Sequence, residues 1–186
     1  MPEPGNAKDR LVAELRRHAL VIGEVTLTSG KTASYYVDAK RAILRPAGFK
    51  ALGELLAVEV ERLGATAVGG LTMGADPVAC AALAGGADAN AFFIRKEAKA
   101  HGLQRRVEGP FLGDADRCLV VEDVVTTGGS TVQAIEALQA EGRTIVGVVS
   151  VLDRLAGGGE RIEAAGGAPY VALTTIDDVH PDRPEA

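Results

Sequence analysis

Tryptophan is absent from the 186 residues, and all aromatics together make up only 4% of the chain. So few flat side chains leave little from which to build stacking platforms for unpaired bases, which disfavours a single-stranded nucleic-acid binder. An excess of positive charge is missing too. Twenty Lys and Arg stand against 25 Asp and Glu, a net charge of −5, so no nucleic-acid partner is expected, although a local basic patch stays compatible with that total. Cysteine occurs only as Cys80 and Cys118, far apart in apolar segments. They read as two buried free thiols, because a metal site wants more ligands at closer spacing. No apolar run approaches the ~20 residues of a membrane-spanning helix, and the opening MPEPGNAKDR lacks the apolar stretch of a signal peptide. The expectation is a cytoplasmic enzyme without a membrane partner.

What is present is ordinary for a globular protein: 47% hydrophobic and 24% charged residues, enough for one α/β domain over 1–186. Leu11, Leu15, Ala19 and Ile22 share one face of a helix expected over 7–22, with Asn6 as its cap. Residues 24–38 alternate around a Ser-Gly turn and read as a hairpin-like hood. Phe49, Leu52, Leu56, Val60 and Leu63 keep helical spacing over 47–63, and Gly64 ends the run. Strands at 66–70, 90–95, 117–122, 144–152 and 170–174 then alternate with helices at 76–84 and 130–141. That order implies a parallel sheet covered by helices on both faces, with ligands at the carboxyl ends of its strands. Residues 96–109 are polar and aperiodic, and the tail DDVHPDRPEA is expected to fray. His18 and His180 fit no motif and are expected at the surface.

The most informative stretch is RCLVVEDVVTTGGST, 117–131. An apolar run ends in Glu122 and Asp123, then Val124-Val125, then a hydroxyl- and glycine-rich loop that opens a helix. Glycines let backbone N–H groups close on an anion, hydroxyls add donors, and the helix N-terminus adds positive dipole. Helix capping explains one hydroxyl. It does not explain two carboxylates at the end of a buried strand, whose desolvation is costly unless a ligand or cation compensates. The whole reads as a cradle for a sugar phosphate.

This segment resembles the phosphoribosyl-diphosphate (PRPP) motif of type I phosphoribosyltransferases, with Glu in place of the more usual Asp at the first acidic position. The resemblance implies that fold: a central parallel sheet flanked by helices, with a small N-terminal hood at about 20–40. It implies that Glu122, Asp123, Val124, Val125, Thr126, Thr127, Gly128, Gly129 and Ser130 bind PRPP. It also implies Mg²⁺ held mainly through PRPP, with no protein metal cage.

Three further segments bear on the acceptor. FFIRKEAKAHGLQRRVEG (92–109) gathers cations into one loop, which is either a solvated basic surface or an anion site. R-K-E-x-K-x-H-G resembles the mobile catalytic loop, here about 96–109, of the orotate phosphoribosyltransferase branch. There the loop closes over PRPP in the neighbouring subunit of a homodimer. Carried over by position, Arg95, Lys96, Lys99 and His101 meet the phosphates, with Lys99, His101 and Asp123 catalytic. GGLTMGADP (69–77) is not a Walker A loop and alone reads as a tight turn. By resemblance Thr72, Met73 and Gly74 bind the diphosphate. In the hood, TLTSGKTASYYVD offers Lys31 for PRPP where some family members place a lysine at the position of Thr28. Tyr36 and Val37 fall where the family contacts orotate, although alternation alone makes them a half-buried strand. Arg154, in VLDR, reads as an exposed strand-end charge or, by resemblance, as the partner of the orotate carboxylate together with Thr126. Two other readings share the PRPP motif: a purine phosphoribosyltransferase, against which RKEAKAH and Arg154 argue, and a PRPP-sensing regulator that binds nucleic acid, against which the net charge argues.

Overall fold

The computed structural model describes residues 6–26, 32–97 and 106–183. The chain opens with α1 (Ala7–Glu14), capped by Asn6, whose side chain accepts from the Asp9 N–H at 2.9 Å. A π-helical turn, Leu15–Ala19, carries the backbone into β1 (Leu20–Thr26), which pairs antiparallel with β2 (Thr32–Val37). The helix expected over 7–22 therefore stops at Ala19. Leu11, Leu15 and Ala19 are buried as expected, but Ile22 lies in the strand and is 72% exposed. Helical spacing was misleading there, because the apolar run Ala19–Ile22 also suits a strand.

A short helix α2 (Lys40–Ile43) leads to α3 (Pro46–Leu63). Pro46 opens α3, and Gly64 closes it in the left-handed region at φ 61°. Next come β3 (Ala67–Leu71), α4 (Ala75–Ala84), β4 (Asn90–Ile94), β5 (Val107–Glu108) and β6 (Arg117–Val125). The chain continues through α5 (Gly129–Ala140), β7 (Thr144–Asp153), α6 (Gly158–Gly166), β8 (Tyr170–Thr175) and α7 (Ile176–Val179). Among the described residues six strands form the main sheet, in the order β5-β4-β3-β6-β7-β8. All neighbours run parallel except β5, which pairs antiparallel with β4. Part of the segment read as aperiodic is thus an edge strand, too short to show a period.

Strand alternation sorts the core into two layers. Val68, Leu119, Val121, Val149 and Val151 pack with residues of α1, α3 and α4 on one face. Ala67, Cys118, Val120 and Val148 pack with Ala134, Ile135 and Leu138 of α5 and Ile162 of α6 on the other. Buried on both faces, the central strands read as continuous apolar runs. Cys118 sits in this core, and burial pushes its thiol up to about 11. Cys80 is exposed on α4, against the expectation that both thiols are buried. Among the described residues no helix is long and apolar enough to cross a membrane.

The order places successive strands on opposite sides of β3, with β4 to one side and β6 to the other. The crevice of such a sheet opens where the order reverses, at the carboxyl ends of β3 and β6. The Thr72–Gly74 loop and the loop after Asp123 flank that point.

The tail is not frayed where it is described. Ile176 and Val179 are buried. Thr175 and Asp178 form a capping box, Lys8 lies 3.4 Å from Asp178, and Arg183 pairs with Asp177 at 2.6 Å. Its polar composition hid one apolar anchor, Val179, which is buried three positions after Ile176.

Candidate active site

Strand β6 runs three residues past Glu122, so both carboxylates belong to the strand rather than to the loop. Glu122 is 4% exposed and Asp123 8%. Glu122 accepts hydrogen bonds from Ser130 Oγ at 2.7 Å and Thr131 Oγ1 at 3.2 Å, both on the first turn of α5. Burial holds its carboxyl well above the usual range; the Ser130 bond opposes that rise, and the charge of Asp123 adds to it.

Asp123 meets the cation that the buried-carboxylate argument called for. Lys40 Nζ lies 2.9 Å from its Oδ2 and 3.1 Å from Asp38 Oδ1. Burial pulls the Lys40 ammonium down, but the two aspartates outweigh it and hold its ionisation above 10.5. Sequence reading missed Lys40, which is 83 residues from its partner. Its one signal was a lysine at the end of the hood.

The loop between β6 and α5 turns through Gly128 at φ 74°, a conformation other residues adopt with strain. A Cβ at Gly128 would lie 2.9 Å from the Gly158 carbonyl oxygen. Arg161 of α6, also missed, donates to the Thr127 carbonyl at 3.2 Å. Opposite, a Cβ at Gly74 would lie 2.5 Å from Asp123 Oδ1, so the bare glycine lets the Thr72–Gly74 loop abut the acidic strand. Thr72 donates to Asp76 at 2.5 Å, the Thr72–Met73 peptide is cis, and Met73 is 74% exposed.

Part of the expected set lines two cavities, whereas Glu122, Val125, Thr127, Gly128, Gly129, Ser130, Met73 and Gly74 line neither. One of about 230 Å³ is lined by Tyr36, Val37, Lys40, Asp123, Val124, Thr126 and Arg154. Another of about 440 Å³ brings Thr72 together with Arg95, Lys96 and Glu108. Lys31, Thr28, Lys99 and His101 lie outside the described residues.

Arg154 is more than an exposed strand-end charge. Among the described residues its Nε is buried without a hydrogen-bond partner, and its guanidinium carbon lies 5.1 Å from the Tyr35 ring centroid. Tyr35 was passed over in favour of Tyr36 next to it. Asp153 is buried and accepts from the Leu155 N–H at 2.7 Å and the Tyr170 hydroxyl at 2.9 Å. The adjacent Asp153 and Arg154 side chains thus serve different neighbours.

Geometrically this is a glycine- and hydroxyl-rich loop, a buried Glu122–Asp123 pair met by Lys40, and a small cavity lined by Arg154, set at the switch point of a parallel sheet. Residues 42–165 match the phosphoribosyl transferase domain family. The chain is 48% identical over 174 residues to an orotate phosphoribosyltransferase of Corynebacterium glutamicum, covering 93% of this chain and 94% of the relative. Among solved structures it is similar to the orotate phosphoribosyltransferase of Mycobacterium tuberculosis in complex with Fe(III) dicitrate, with TM-score 0.84 and 42% identity over 94% of this chain and 99% of that one. It is likewise similar to that enzyme in complex with PRPP, with TM-score 0.80 and 37% identity over 93% and 98% of the two chains. With identity at this level along nearly its whole length, the chain belongs to the orotate phosphoribosyltransferases of the phosphoribosyl transferase domain family.

Proposed function

We propose that this chain transfers the 5-phosphoribosyl group from PRPP to orotate, giving orotidine 5′-phosphate and diphosphate in pyrimidine biosynthesis. The observation that carries this reading is the buried Glu122–Asp123 pair at the switch point, with the unpartnered Arg154 Nε beside the adjoining cavity. The transition state has oxocarbenium character and a departing diphosphate, so positioning and charge stabilisation account for most of the rate.

In this scheme Thr126–Ser130 bind the 5-phosphate, with the first turn of α5 supplying N–H groups. Glu122 and Asp123 accept from the ribose hydroxyls and stabilise positive charge on the sugar. For that, Ser130 and Thr131 release Glu122, and Lys40 shares Asp123 with the substrate. Thr72, Met73 and Gly74 meet the diphosphate on one side, Arg95 and Lys96 on the other. Tyr36, Val37 and Thr126 flank the orotate ring, and Arg154 takes its carboxylate through a two-pronged contact.

The carboxylates of this site suit a Mg²⁺ ion carried by PRPP better than a protein-built cage. Among the described residues no three His, Cys, Asp or Glu side chains converge on one point, and Asp123 is already engaged by Lys40. Mg²⁺ would neutralise the diphosphate and keep several waters. Lys99 and His101 would close over the diphosphate of the neighbouring subunit in a homodimer and exclude water. Lys31 is the hood cation in this scheme, and the enzyme works in the cytoplasm.

The test is a panel of acceptors, namely orotate, uracil, adenine and hypoxanthine, each offered with PRPP and Mg²⁺. Orotate should be consumed with stoichiometric release of diphosphate, and uracil, which lacks the carboxylate, should react far more slowly. Faster turnover of a purine base than of orotate would refute the assignment.

A further inference from the structure

We propose that His180 is a positioning residue for acceptor recognition, holding the Arg154 guanidinium at the base cavity through the ring of Tyr35. The proposal rests on the reading of Arg154 as the contact for the acceptor carboxylate. Tyr35, half-buried on β2, meets two groups. Arg154 lies 5.1 Å from its ring centroid, inside the cation–π range. The imidazole of His180 meets the same ring edge-on, at 5.4 Å between centroids and 82° between planes.

Among the described residues no hydrogen bond or ion pair aims the Arg154 side chain. Its Nε has no hydrogen-bond partner, and the adjacent carboxylate, Asp153, is committed to Leu155 and Tyr170. The backbone is fixed, since the Arg154 N–H donates to Val125 at 2.9 Å, but the side chain relies on the aromatic ring. His180, by contrast, is anchored. It follows α7, whose Ile176 and Val179 are buried. The His180 N–H donates to Ile176 at 2.7 Å, and Arg16 Nε donates to the Asp178 carbonyl at 2.8 Å. Arg183 closes the turn by bonding the His180 carbonyl at 3.2 Å and Asp177 at 2.6 Å.

The order of support is thus core, α7, His180, Tyr35, Arg154. A guanidinium aligned before the acceptor arrives loses less side-chain freedom on binding than a free one. Removing the imidazole edge releases Tyr35, and Arg154 then pays that cost when the carboxylate binds. The effect falls on acceptor affinity and leaves the transfer step and the PRPP side untouched.

The experiment measures KM for orotate, KM for PRPP and kcat in His180→Ala, His180→Leu, His180→Phe, Arg154→Ala and the His180→Ala/Arg154→Ala double variant, with a melting curve for each. His180→Ala should raise the orotate KM roughly two- to tenfold, the range that an aromatic pair is worth, with kcat and PRPP KM unchanged. His180→Leu, which fills the space without an aromatic edge, should behave like His180→Ala, and His180→Phe should restore the wild-type value. Adding His180→Ala to Arg154→Ala should change nothing further. An unchanged orotate KM in His180→Ala and His180→Leu, an equal rise in PRPP KM, or a full additional effect in the double variant would overturn the positioning role. If Arg154→Ala alone leaves orotate KM unchanged, the assignment of Arg154 fails and the role of His180 falls with it. If Arg154→Ala raises KM and His180→Ala does not, only the His180 proposal fails.

Discussion

Lys40→Met removes the cation between Asp38 and Asp123 while keeping a stem of similar length, so it isolates charge from packing. At 2.9 Å an effective dielectric of about 20 gives about 6 kcal/mol for one such pair, an upper bound. Lys40 keeps 38% of its side-chain exposure and Asp123 only 11%, so water screens one end and not the other. The net loss should fall between an exposed pair and a fully buried one, about 1–2 kcal/mol. For a chain of this size that is about 2–8 °C in melting temperature. The ammonium's ionisation is raised above 10.5, so its stabilisation is fully present below that value and fades only as pH rises through the raised one. The gap between wild type and Lys40→Met should therefore be flat across about pH 6–9 and narrow at higher pH. Thermal unfolding followed by circular dichroism at several pH values reads this directly. Equal melting temperatures near neutral pH would mean that the ion pair contributes nothing and that the cost of the buried Asp123 is met elsewhere.

Three further outcomes follow from the same site. Asp123→Asn keeps shape but removes charge beside the developing sugar cation, so kcat should fall steeply with a modest change in PRPP affinity; a wild-type kcat would remove Asp123 from the reaction. Glu122 is protonated more readily in the folded chain than its ordinary 4.5 implies, so its ionisation costs stability that is regained as pH falls through the raised value toward 4.5. Glu122→Gln should thus raise the melting temperature near pH 8 and have little effect below pH 4.5, at the expense of activity; a destabilised Glu122→Gln near pH 8 would contradict the burial argument. Lys99→Ala should lose roughly 10²–10³ in kcat. Mixed with Asp123→Asn after mild dissociation it should recover about a quarter of wild-type activity, since about half of the dimers are hybrids with one intact site of two. No recovery, with subunit exchange verified independently, would rule out the shared site.

Local chemistry made much of this legible. Residues 117–131 announce a strand, two acids and an anion loop within fifteen positions, and β6, Gly128 and α5 fall there to within three residues. The alternation of strands and helices after residue 64 gives the parallel sheet, because each element carries its own period. What stayed hidden depends on distant neighbours. Lys40 gains meaning from a carboxylate 83 residues away, and Tyr35 from Arg154 and His180. α2, β5 and α7 are four residues or fewer, too short for any period to register. The tail DDVHPDRPEA looked frayed because Val179 is almost lost among its polar residues, yet that side chain and Ile176 just before it are both buried and dock the turn.

The most direct measurement is a crystal structure with orotate and a non-hydrolysable PRPP analogue bound together with Mg²⁺. The 5-phosphate should lie on Thr126–Ser130, the ribose hydroxyls on Glu122 and Asp123, and the orotate carboxylate on Arg154, with Tyr35 still against its guanidinium. An orotate ring bound away from Arg154, or ribose hydroxyls that leave the Glu122–Asp123 pair untouched, would contradict this arrangement.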